Sequence, residues 1–120
     1  MPVIASSETR DQTVGNNVHF LQWTPLLNGD SGAPFSMSGY ADRSAQIVGT
    51  FGAGGTVLLE GSNDGTNYAT LNDPQGVAIS KTATGIFEIS QIVKFIRPRV
   101  SAGDGTTSIT VTLLARRPAG

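Results

Sequence analysis

The sequence contains no cysteine, a single histidine and a single tryptophan, and only 14% of its residues are charged. Without cysteine there is neither a disulfide framework nor a thiolate zinc site, so the core has to hold the fold alone or with partners. With His19 as the lone imidazole, no cluster of His ligands can form. The formal net charge of -1 supplies no strongly basic face of the kind that nucleic acid or an anionic membrane requires. No apolar run reaches the length of a membrane span or of a signal-peptide core, so the chain is expected to be made and kept in the cytoplasm unless something carries it out.

What the chain does have is 15 glycines within 120 residues, together with abundant Ser and Thr, the composition of short strands joined by tight turns. This length accommodates one domain with one core. Residues 1–14 mix small, polar and charged side chains without a sustained period and read as an arm, with Val3 and Ile4 as its apolar anchors. Its removal is expected to leave the body, residues 15–120, nearly as stable as before. Asn17 to Leu27 forms a first strand in which Pro25 marks an edge or a bend. The turn-rich stretch from Asn28 to Gly39 reads as a surface loop, and within it Phe35 and Met37 are candidate contact residues.

After Tyr40 the alternation becomes regular. Ala45 to Phe51 and Thr56 to Glu60 flank the glycine-rich turn 52–55 and are expected to form a hairpin. Asp73-Pro74-Gln75-Gly76 has the residue order of a type I turn. Further strands are expected over Asn67–Leu71, Val77–Ser80, Ile86–Ser90 and Ile92–Val100. Gly103-Asp104-Gly105 is expected to close a last hairpin onto Thr106–Leu114, where Ile109, Val111 and Leu113 alternate with Ser and Thr. The fold class is therefore all-β: an antiparallel sandwich of jelly-roll type, or a barrel, with an extended N-terminal arm.

Nothing in the residues assembles a catalytic site, and no metal, cofactor or enzymatic activity is expected. His19 lies in an apolar strand, and no Gly-x-Ser-x-Gly elbow accompanies it. The glycines at 49–55 lack the helix and the Lys-Ser/Thr of a phosphate loop. The Asp-Gly-Thr tripeptides at Asp64 and Asp104 lack the spaced carboxylates of a calcium loop and read as turn chemistry. Trp23, Tyr40 and Tyr68 are the aromatics that a sugar-binding face would use, and each serves equally as a core or interface anchor.

Alternation over Lys94–Val100 puts Phe95, Arg97 and Arg99 on one face of a strand. Two guanidiniums two residues apart can pair with carboxylates across a subunit contact, or within the domain with a residue such as Glu88 or Asp73. Charge is also uneven along the chain: from Lys94 onward five basic side chains face Asp104 alone, whereas residues 1–93 hold three basic and eight acidic ones. Two copies could attract each other between unlike ends.

Three segments together carry a resemblance. They are Val57-Leu58-Leu59-Glu60-Gly61-Ser62-Asn63-Asp64-Gly65-Thr66-Asn67-Tyr68 with Leu71-Asn72-Asp73-Pro74-Gln75-Gly76, then Phe95-Ile96-Arg97-Pro98-Arg99-Val100, and Gly103-Asp104-Gly105-Thr106-Thr107-Ser108-Ile109-Thr110-Val111. Over residues 43–117 the chain resembles small tailed-phage virion proteins, most of all head decoration (cement) proteins. The Gly-Ser-Asn-Asp-Gly-Thr-Asn-aromatic string is shared with discoidin-like and other carbohydrate-binding jelly rolls; its coupling to the other two segments makes the resemblance more specific. It implies a β-sandwich subunit, often trimeric, that binds the major capsid protein on the outside of the shell and reinforces its joints. The alternatives are a tail or baseplate component, and a carbohydrate-binding module for host attachment. Val3, Ile4, Trp23, Phe35, Met37, Arg97 and Arg99 are the expected partner-binding residues.

Overall fold

The pattern of alternating burial resolves into twelve strands in a computed structural model that describes residues 3–11, 18–36, 40 and 42–116. One sheet is five-stranded and holds the long strands β3 (Val18–Leu27), β6 (Asp42–Thr50) and β12 (Ser108–Arg116), with β2 (Ser6–Asp11) and β10 (Gly85–Glu88) at its edges, in the order β10-β6-β12-β3-β2. The other is seven-stranded. Its path runs β1 (Val3–Ile4), β4 (Ser31–Gly32), β11 (Phe95–Ala102), β7 (Thr56–Ser62), β8 (Ala69–Thr70), with β5 (Phe35–Ser36) also on β11 and β9 (Ser80–Lys81) also on β7. All pairings are antiparallel except β1 with β4. Two sheets enclosing one core make a β-sandwich.

Every second residue of the long strands faces the core, as a half-buried sheet requires. Leu21, Trp23 and Leu26 on β3, Ala45 and Ile47 on β6, and Ile109, Val111 and Leu113 on β12 meet Val57, Leu59, Ile96 and Val100 of the other sheet, all of them buried. Pro25 does not end its strand. Thr24 and Pro25 lie opposite the irregular step between Ile109 and Val111 of β12, and this bulge admits a residue without an N–H into a central strand.

The two glycine-rich turns expected to close hairpins instead carry the chain from one sheet to the other. β6 and β7 lie in different sheets, and so do β11 and β12. Alternation shows that each strand has one buried face; it does not show whether consecutive strands share a sheet or oppose each other across a core. The two crossings lie side by side and are tied together. The Ala53 N–H donates to Asp104 Oδ2 (2.9 Å), and the Thr107 hydroxyl donates to the Phe51 carbonyl (2.8 Å).

The stretch 28–36 is not the free surface loop that its turn residues suggest. Ser31–Gly32 and Phe35–Ser36 pair with β11, and Asp30 is buried with its carboxylate accepting the Leu27 N–H at 2.9 Å. The N-terminal segment is extended but lies against the body from Val3 to Asp11, adding a strand to each sheet in turn. Asp73-Pro74-Gln75-Gly76 forms its expected turn, closed by the Gly76 N–H on the Asp73 carbonyl at 2.9 Å.

Candidate interaction site on the seven-stranded sheet

β11 and β7 are adjacent with Arg97 opposite Glu60 and Arg99 opposite Leu58, so both arginines and Glu60 share the sheet's outer face. Arg97 Nε donates to Glu60 Oε1 at 3.0 Å and Arg99 Nε donates to Glu60 Oε2 at 2.9 Å. One carboxylate thus bridges two guanidiniums, each engaged along its Nε side. The Glu60 side chain keeps 8% of its exposure beneath them, against 26% for Arg97 and 32% for Arg99. Within the domain the arginines pair with Glu60, not with Glu88 or Asp73. The cluster still carries one net positive charge, since two cations share one anion.

The loop after β7 supplies the third member. Ser62 Oγ accepts the Gly65 N–H (2.9 Å), and Asp64 Oδ1 accepts the N–H groups of Thr66 and Asn67 (2.8 Å each), while the Asn67 side-chain amide donates to Asp64 Oδ2 at 2.9 Å. These donors hold the Asp64 carboxyl well below the ordinary carboxylate range, the Asn67 backbone N–H contributing most. The loop thereby fixes Tyr68, whose ring lies 3.9 Å from the Arg97 guanidinium carbon, a cation–π contact. Phe95, two residues before Arg97 on β11, extends the same face, with the Lys94 ammonium 5.4 Å over its ring. The Gly-Ser-Asn-Asp-Gly-Thr-Asn-Tyr string is therefore the scaffold of the site, and Glu60 and Tyr68 are the members that sequence reading did not assign to it.

The remaining expected contact residues are dispersed. Val3 is exposed on the same sheet, paired with Ser31, which in turn pairs with Arg99. Ile4 and Phe35 are partly buried against the core, and Phe35 lies 5.7 Å from the Tyr40 ring. Met37 lies outside the described residues. Trp23 is not a contact residue: at 1% exposure its indole fills the core, with Nε1 donating to the Ala33 carbonyl at 3.0 Å. Strand alternation turned it inward. Tyr40 is likewise buried, its hydroxyl 3.0 Å from His19 Nδ1, and His19 itself is buried. Of the three aromatics a sugar-binding face would use, two are inside and the third is stacked on Arg97. The charge asymmetry along the chain also folds away in part, because Arg97 and Arg99 meet Glu60 and Arg116 meets Asp42. Among the described residues no group of three His, Asp or Glu is placed to hold a metal ion.

No protein-family model matches the chain, and no curated protein matches it. Among solved structures, that of the SPBc2 prophage-derived protein YomS has a similar fold, with a TM-score of 0.62 over 92% of this chain and 93% of that one, at 12% sequence identity. At that identity the likeness is one of fold.

Proposed function

We propose that this chain is a non-enzymatic structural subunit of a tailed-phage particle, and that it decorates the outer capsid surface, gripping the major capsid protein through the Arg97–Glu60–Arg99–Tyr68 face. The observation that carries the reading is the full-length fold likeness to a prophage-derived protein, joined to the decoration-protein resemblance of residues 43–117. The physics of the site is consistent with this. A cement subunit works by burying interface area, and Arg and Tyr pre-positioned on a rigid sheet lose little conformational entropy on docking. Glu60 holds both guanidiniums by Nε, which leaves their Nη ends to take carboxylates of a partner. Several weak contacts per particle then add through multivalent placement.

Cryo-microscopy of the particle tests this by stoichiometry. Copies in the hundreds on the shell support the reading; a handful at the tail would transfer the chain to a tail or baseplate role. In particle pull-down, the Arg97→Ala/Arg99→Ala double variant should bind at least ~10-fold more weakly, as expected when charge-assisted contacts are lost. Undiminished binding would remove this face from the contact.

A further inference from the structure

We propose that the groove at the β10 end of the five-stranded sheet binds a small carboxylate with an aliphatic body, its charge held by the Arg43 guanidinium. This inference goes beyond the virion reading and does not rest on it.

Arg43 belongs to the inward set of β6, in line with Ala45 and Ile47, and is only 5% exposed. Its Nη2 donates to the Ser90 carbonyl at 3.4 Å, close to the outer limit of a hydrogen bond, and neither Nε nor Nη1 has a partner among the described residues. A guanidinium carries five N–H donors, and each one left unpaired in the interior keeps its desolvation cost. A buried cation so poorly matched by its own chain is matched better by an anion from outside.

The groove brings such an anion within reach. Its volume is about 500 Å³, within the range of small-molecule sites, and both Arg43 and Ser90 line it. The β10 ladder stops at the Glu88–Ser44 pair, followed only by the Ile89 N–H on the Arg43 carbonyl at 3.1 Å. The groove passes over this strand end, which is how it reaches the inward Arg43 as well as the outward Ser44 and Leu114. The long Nη2–Ser90 bond is the one that an entering carboxylate displaces. By turning about its Cδ–Nε bond, the guanidinium then offers Nη1 and Nη2 as a fork to the two carboxylate oxygens.

The other charges set the limits of the ligand. Asp42 and Arg116 also line the groove, but Arg116 donates to Asp42 through both Nε and Nη2, and the two side chains are each 62% exposed. Glu88, the fourth charged residue of the lining, is exposed and keeps its water. Solvent screens these three, whereas the buried Arg43 charge is screened much less. The two acidic side chains disfavour a doubly charged anion such as phosphate and leave a singly charged carboxylate as the better match. Val18, Ile89 and Leu114 supply apolar walls for its body. A free aliphatic acid and the C-terminal carboxylate of a chain ending in an aliphatic residue share this chemistry.

NMR titration of the full chain, following the arginine side-chain Nε–H signals, tests the site with four probes: hexanoate for the free acid, N-acetyl-leucine for the chain end, hexanamide as the uncharged equivalent, and inorganic phosphate. The Arg43 signal, identified by its loss in Arg43→Met, should move with at least one of the two acids, and the tighter of them identifies the source. Hexanamide and phosphate should bind at least ~10-fold more weakly than that acid, as expected when the charge-assisted fork is missing or opposed. Saturation transfer observed on the acid should fall by the same factor in Arg43→Met. Ser44→Leu fills the groove from the outer face, leaves Arg43 in place and should also abolish binding; it serves alone if Arg43→Met does not fold. No movement with either acid, movement of another arginine's signal while that of Arg43 stays, equal binding of hexanamide, or undiminished binding by a folded variant would each overturn the proposal.

Discussion

Gly32 is small because two core residues claim the space where its side chain would be. A Cβ there would lie 2.6 Å from Pro98 Cδ and 2.7 Å from Trp23 Cδ1, both fixed in the core. Gly32→Ala should therefore destabilise the fold by about 1–3 kcal/mol, the usual cost of overpacking, measurable as a lowered urea midpoint. Arg43 presents the opposite case. Its side chain is buried between the sheets with Nη2 donating to the Ser90 carbonyl (3.4 Å), while Nε and Nη1 have no partner among the described residues. Burial lowers the Arg43 pKa, and Asp42 offsets this in part. Since replacing a poorly paired buried charge by an apolar side chain of similar volume is commonly neutral or stabilising, Arg43→Met should raise the unfolding free energy by up to about 3 kcal/mol. A loss of stability would show that the guanidinium is better satisfied in solution than by Ser90 alone.

At the scale of elements, the N-terminal segment has become part of the body. β1 pairs with β4, β2 pairs with β3 over six residues, and Ile4 packs on the core. Deleting residues 1–11 therefore should lower stability by roughly 3 kcal/mol, from lost ladder hydrogen bonds and one apolar side chain. An unchanged thermal midpoint, the expectation for a free arm, would contradict this. The difference marks where the sequence is readable. β12 and β11 were legible because Ile109, Val111 and Leu113, like Ile96 and Val100, alternate with polar residues over a long enough span to show a period. β4 and β5 were not: each has two residues and exists because β11 offers an edge, a tertiary cause with no local pattern. The paired arginines of the candidate site could be read from alternation. Glu60 lies 37 positions away from Arg97, and only the β7–β11 register brings it there.

For the molecule as a whole, two carboxylates brace opposite ends of the sandwich, and acid should loosen both together. Asp104 ties the adjacent crossings at one end, its pKa lowered to about 2 chiefly by the Ala53 N–H and then by the Thr106 hydroxyl and N–H. Asp64 organises the loop at the other end of β7, and its carboxyl is lowered further still. Both are more acidic folded than unfolded, where aspartate titrates near ~3.9. Their contribution is therefore fully present above about pH 4 and is lost as pH falls through the folded values, because protons then bind the unfolded chain first. The thermal midpoint should hold steady from neutral pH down to about 4 and then decline continuously toward pH 2. Asp64→Asn/Asp104→Asn should begin with a lower midpoint at neutral pH and show a flatter decline, since the groups that titrate differently in the two states are gone. Both effects are read in one series of thermal melts. A double variant with the parent's slope would assign the acid sensitivity to other carboxylates and leave these two loops with geometry alone.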